Sequence, residues 1–197
     1  MKKLIVLAVC TALVIALSLS CNQSSSPANQ PTEPVSKDSL IKRGEYLVTV
    51  MGCNDCHSPK KFGPMGPEPD PDLLLSGHPA SIPLAFIDTA ALKNWVLFGG
   101  MTTVTVGPWG VSYAANLTSD STGIGSWTEA QFDLALRHGK SKGLEGNRML
   151  LPPMPWKNFR NLKDEDLKAI FTYLKSTRPV KNVVPAPLPP TQLNKKS

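Results

Sequence analysis

Five consecutive residues, Cys53-Asn54-Asp55-Cys56-His57, constrain this chain more than any other stretch of its 197 residues. The pattern is C-x-x-C-H. Two thiols three positions apart can each add to one vinyl group of a porphyrin, and the imidazole that follows then lies under the iron as its proximal ligand. A haem c held in this way is tethered covalently, so a small domain can expose its edge without losing it. Two other chemistries use C-x-x-C. A thioredoxin-like redox pair needs a βαβ setting, and no such pattern surrounds residue 53. A four-ligand zinc site needs a second Cys or His pair at ligand spacing, whereas His78 and His138 stand alone and no second C-x-x-C is present.

The N-terminal residues point to export. Lys2 and Lys3 precede an almost wholly apolar run, Leu4 to Leu19. This is the layout of a secretory signal peptide, spanning residues 1–20. Its 16 residues are short for a membrane span, which needs roughly twenty. Ser18-Leu19-Ser20-Cys21 resembles the lipobox of bacterial lipoproteins, although Ser18 stands where that pattern has Leu. Cys21 is the expected lipidation site. Residues 21–36, rich in Ser, Pro, Asn and Gln, read as a flexible tether that cannot build a core. The expected location is the periplasmic side of a membrane as an anchored lipoprotein, with ordinary signal cleavage and a soluble periplasmic protein as the alternative. Cys10 falls inside the signal segment, so no cysteine remains for a structural disulfide.

Removing signal and tether leaves a length that suits one domain, residues 37–179, followed by a Pro-rich tail over 180–197. The net charge of +6 falls to +4 without Lys2 and Lys3. That balance, without a basic stripe interleaved with aromatics, gives no argument for nucleic acid. One C-x-x-C-H and no internal repeat imply one haem.

Periodicity predicts helices at both ends of the domain. The first runs from about Lys37 to Met51. Gly44 inside it costs about 1 kcal/mol relative to Ala, which implies close approach of another helix. Residues 58–82 read as a long Pro/Gly-rich loop, and Thr89 to Phe98 as a short helix or strand. Met101 to Tyr113 reads as a small β-hairpin with a Gly-Pro-Trp-Gly turn. Ser126 and Glu129 form a capping box for a second helix that Gly139 ends. The last helix spans about Lys163 to Ser176. Asp164, Glu165 and Asp166 complement its positive start, and Leu167, Ile170, Phe171 and Leu174 share one face.

An electron-carrying haem works best with two fixed axial ligands, and methionine opposite histidine raises its potential. Of the six methionines, Met154 lies in Leu151-Pro152-Pro153-Met154-Pro155-Trp156. The prolines fix φ and remove donors, so this loop is stiff and suited to hold a weak thioether ligand. His78 is the runner-up. Trp109, Asn116 and Trp127 are within the range of candidates for contact with haem propionates, but each reads more readily as a core or turn residue.

The order of helix, C-x-x-C-H, loop methionine and C-terminal helix resembles a class I cytochrome c, which implies an all-α, cytochrome c-like helical fold around one haem. In that family the terminal helices cross through a glycine and an aromatic contact, matched here by Gly44 and by the aromatic-aliphatic pair Tyr173-Leu174. Leu75-Ser76-Gly77-His78-Pro79, Ala115-Asn116-Leu117-Thr118, Thr122-Gly123-Ile124-Gly125-Ser126-Trp127 and Pro152-Pro153-Met154-Pro155 narrow the resemblance. They are similar to the cytochrome c domains of bacterial membrane-bound alcohol and sugar-acid dehydrogenases over about residues 40–178. The resemblance implies that Met154 is the distal ligand and that a proline carbonyl, of Pro64 or Pro67, fixes the proximal imidazole. The expected function is one-electron transfer between redox proteins, a dehydrogenase or quinol oxidase on one side and a terminal oxidase on the other, with no catalytic residues in this chain. A catalytic haem in a dehydrogenase or peroxidase complex and a haem-based ligand sensor are the alternatives.

Overall fold

A computed structural model describes residues 35–193. The signal-like segment 1–20, Cys21 and the tether up to residue 34 lie outside the described residues. Helix α1 (Lys37–Val50) starts at Ser36, whose hydroxyl accepts the Ser39 N–H. Gly44, Leu47 and Val48 form its buried stripe. Helix α5 (Asp164–Ser176) presents Leu167, Ala169, Ile170 and Leu174. The two helices cross at Gly44. A Cβ there would lie 2.0 Å from the Ala169 carbonyl oxygen and 2.6 Å from Tyr173 Cβ. The missing side chain is therefore what lets the backbones meet, and it is the packing reason the sequence required. Arg43 reinforces the crossing from outside, donating from Nε and Nη2 to Asp166 Oδ1 at 3.0 and 2.9 Å.

Helix α3 (Glu129–Leu136) adds Phe132 and Leu136 to the same core. It starts two residues later than its expected capping box. Thr128, not Ser126, is the cap, and Gln131 returns the hydrogen bond to the Thr128 N–H. Trp127 is still in a turn closed onto the Ile124 carbonyl, so Ser126 precedes the helical dihedrals. Gly139, at φ +67°, turns the chain away as expected.

The all-α expectation is overturned. Five α-helices among the described residues, the short ones being α2 (Cys53–His57) and α4 (Trp156–Phe159), are joined by two antiparallel sheets. The 58–82 loop contains a hairpin, β1 (Lys60–Gly63) paired with β2 (Gly66–Pro69). Beyond it, β3 (Leu97–Phe98), β4 (Val104–Gly107) and β5 (Gly110–Tyr113) form a three-stranded sheet. The hairpin read near 101–113 is β4–β5, with Gly107 opposite Gly110. Residues 89–98 hold both a 3₁₀ turn at Ala91–Lys93 and β3. The physical reason for the mixed class is a second core. Ile87, Val106 and Val111 are buried together, with Leu84, Leu97, Tyr113 and Leu188 around them. β-Branched residues alternating along β4 fill that core from one face of the sheet. Gly110, at φ +93°, admits the chain at Leu188, which pairs with Val111. The segment after 179 thus packs on the domain as far as it is described. Asn182 donates from Nδ2 to the Ser76 and His78 carbonyls at 2.7 and 2.9 Å.

Candidate haem site

Gly52, at φ +69°, turns the chain sharply out of α1 into the single-turn helix α2 (Cys53–His57). Both thiols on this turn are free. Burial pushes the Cys53 thiol up to about 11 and raises that of Cys56. Reactive C-x-x-C pairs work through a lowered thiol, so these two are poor candidates for dithiol redox chemistry. Among the described residues no group of three or more His, Cys, Asp or Glu converges as a metal site, which leaves a zinc reading without further ligands.

His57 is buried, and its Nδ1 lies 2.7 Å from the Ala115 carbonyl oxygen. A carbonyl only accepts, so Nδ1 carries the hydrogen and Nε2 keeps its lone pair for a metal. Nε2 has no hydrogen bond among the described residues. Burial lowers the pKa of this ring, keeping it neutral, while the bond to Ala115 opposes that shift. Ala115 replaces the expected proline carbonyl. Pro64 lies in the β1–β2 turn and Pro67 pairs with Phe62 in the ribbon, so neither supplies the acceptor. The Leu75–His78 segment passes close by, with the Gly77 N–H on the His57 carbonyl at 2.8 Å. A Cβ on Gly77 would meet the Ala114 carbonyl oxygen at 2.5 Å.

The C-terminal carbonyls of α2 need donors from outside the helix. Lys60 supplies them, its Nζ lying 2.8, 3.0 and 2.6 Å from the carbonyl oxygens of Asn54, Asp55 and Ser58. The Thr102 hydroxyl donates to the Asp55 carbonyl as well. Neither residue was singled out from the sequence. For Lys60 the signal was present, as a cation just past a helix C-terminus.

Met154 packs against the same hydrophobic core as Cys53 and lines a cavity of about 530 Å³ with Leu150, Pro153 and Trp156. Met65, by contrast, is 91 % exposed. His78 has both ring nitrogens in use, Nδ1 with the Thr103 hydroxyl at 2.9 Å and Nε2 with the Ile82 carbonyl at 3.3 Å. His138 is exposed beside Asp133. Asn116 is committed to the fold. Its Nδ2 donates to Thr122 and to the Val180 carbonyl, and its Oδ1 accepts from Thr118. Trp127 packs on the main core. The Trp109 ring covers Gly107, and its Nε1 is buried without an acceptor among the described residues. Two thiols on one helical turn, an imidazole with a bare Nε2 and a thioether on the same core are a donor set that fits a covalently attached haem.

No protein-family model matches the chain. It is 42 % identical over 174 residues to one of the subunits of nicotinate dehydrogenase from Pseudomonas putida, covering 88 % of this chain and 12 % of that protein. It is 29 % identical over 186 residues to the fructose dehydrogenase cytochrome subunit of Gluconobacter japonicus, covering 93 % of this chain and 30 % of that one. With the gluconate 2-dehydrogenase cytochrome c subunit of Pantoea cypripedii, identity is 32 % over 137 residues, 69 % of this chain and 23 % of the relative. The chain spans less than a third of the length of each of these relatives. It is similar to cytochrome c subunits of dehydrogenases, as its motifs led us to expect.

Proposed function

We propose that this chain is a c-type cytochrome that accepts and passes on single electrons, with a dehydrogenase as its donor. Cys53 and Cys56 carry one haem through thioether bonds, His57 Nε2 is the proximal ligand and Met154 Sδ the distal one. A haem c held there supplies a ferric/ferrous couple, and no substrate bond changes. The protein's part is to hold the two axial ligands fixed, so that little reorganises as the iron changes charge. The observation that carries this reading is the buried His57 ring, locked by Ala115 into the tautomer whose Nε2 is free for iron. The dehydrogenase donor is inferred from the names of the relatives. A terminal oxidase, directly or through another carrier, is the proposed acceptor. Anchoring through lipidated Cys21 on the periplasmic side completes the proposal. No helix among the described residues is long and apolar enough to cross a membrane.

Expression with a haem-ligation system tests the reading. The expected product carries one covalent haem by pyridine haemochrome analysis. Its ferric form has a methionine-sulfur-to-iron charge-transfer band in the near infrared. Met154→Ala removes that band, lowers the potential and opens the ferrous iron to carbon monoxide. Colourless protein refutes the cofactor. Coloured protein that binds carbon monoxide without any substitution favours the ligand-sensing or catalytic alternatives. Cys21→Ala moves the protein from the membrane to the soluble fraction if that residue is the anchor.

A further inference from the structure

A methionine-to-iron bond is weak, so the loop that presents the sulfur must be held from outside. The 151–155 segment has few means of its own. Pro152, Pro153 and Pro155 carry no N–H, and the Met154 N–H closes a local turn on the Leu151 carbonyl at 3.3 Å. The Pro155 carbonyl accepts only from the short helix that directly follows, from the Asn158 N–H at 2.9 Å, and among the described residues one hydrogen bond ties this segment to an element distant in sequence. The Ser112 hydroxyl on β5 donates to the Pro152 carbonyl at 2.7 Å. Ser112 stands opposite Thr105. Its neighbours Val111 and Tyr113 join the second core, so the alternation of the strand sends Ser112 to the other face of the sheet.

The same sheet is tied to the proximal side. Thr102, just before β4, donates to the Asp55 carbonyl on α2. Ala115, two residues past β5, holds the His57 ring at 2.7 Å. The β4–β5 hairpin, packed on its own core, and the residues that flank it therefore touch the segments that bear both proposed axial ligands.

We infer that Ser112 is a positioning residue for the distal ligand: its hydroxyl, held on β5, fixes the Pro152 carbonyl and thereby keeps Met154 seated toward the haem. This deepens the function proposed above and rests on Met154 being the distal ligand. The covalent haem and the ligands themselves are unchanged by the substitutions that test it.

The test uses purified ferric holoprotein and imidazole as a competing sixth ligand, followed by loss of the near-infrared band. Ser112→Ala is expected to lower the imidazole concentration needed for half-displacement by about fivefold, the equilibrium weight of one net hydrogen bond. Ser112→Thr, which keeps the hydroxyl, is expected to stay close to wild type. A thermal melt of each variant shows whether the domain is intact. A wild-type band with no change in Ser112→Ala overturns the positioning role alone. A shift in Ser112→Ala that Ser112→Thr fails to restore also overturns it, because the effect then comes from packing and not from the hydroxyl. A wild-type protein with no methionine band refutes the ligand assignment, and this inference with it. The two failures are therefore distinguishable.

Discussion

Replacing Gly44 by Ala pits two effects of opposite sign against each other. On helix propensity alone the substitution stabilises α1 by about 1 kcal/mol. The crossing with α5 predicts the reverse. A Cβ at position 44 would sit 2.0 Å from the Ala169 carbonyl oxygen, where ordinary contact begins at 3.4 Å. The obstacle is backbone, which cannot rotate aside as a side chain can. The helices must part by roughly 1 Å, and a gap of that size forfeits a quarter to a half of each dispersion contact across it. Leu47 and Val48 on one side, and Ile170 and Leu174 on the other, lose part of their packing together. Overpacking of this kind costs about 1–3 kcal/mol. Because the clash is with backbone we place it near the top of that range, which leaves a net loss of about 2 kcal/mol. In a domain of this size that lowers the midpoint by about 4–8 °C. The assay is a far-ultraviolet circular dichroism melt of the holoprotein. Gly146→Ala is the control, since nothing lies within 4 Å of its Cβ, and it should stay within about 0.5 kcal/mol of wild type. A Gly44→Ala protein as stable as wild type, or more so, would show that the helices do not meet as described.

Three further outcomes follow from the local geometry. Thr128→Ala should cost about 1 kcal/mol in urea denaturation through loss of the α3 cap, while Ser126→Ala should be nearly neutral; the opposite order would restore the capping box first read from the sequence. Burial lowers the pKa of His78 from its ordinary 6.5, opposed by its bond to the Ile82 carbonyl. The unfolded chain therefore takes up the proton first, and stability should fall as pH drops from about 6.5 toward the lower folded value. His78→Gln should flatten that slope, and an unchanged slope would assign it to another group. Lys60→Met should cost about 1–2 kcal/mol, because three carbonyls lose a charged donor and part of the gain is already discounted for exposure. Lys60→Arg should recover some of it, and equal stability in all three proteins would show that the cap contributes nothing.

What could be read in the sequence followed from side-chain chemistry at fixed spacing. The terminal helices, the glycine at their crossing, the β4–β5 turn and the breaking of α3 at Gly139 each carry a local signature. The class did not. An all-helical expectation fits the two ends of the domain, but the residues between them, from Leu84 to Leu97 and on to Tyr113, are apolar at intervals too irregular to suggest a shared core. They become one only when β3, β4 and Leu188 meet around Val106 and Val111. Leu188 lies far along the chain in a Pro-rich stretch, so its place beside Val111 has no local signal.

The candidate site divides along the same line. Cys53, Cys56, His57 and Met154 were picked out because thiol, imidazole and thioether are distinctive groups at telling positions. The acceptor that orients His57 was sought among prolines and is supplied by Ala115. Every residue offers a backbone carbonyl, so no residue type marks the one that will be used. The position is set instead by the return of β5 past α2, where Gly77 permits close passage. Ser112 and Thr102 are invisible for the same reason, since a hydroxyl on a strand or turn is ordinary until its partner is known. The groups proposed to face the iron are therefore legible in one dimension. The groups that hold them still belong to the tertiary fold, and substitutions there should separate a site that merely contains its ligands from one that keeps them bound.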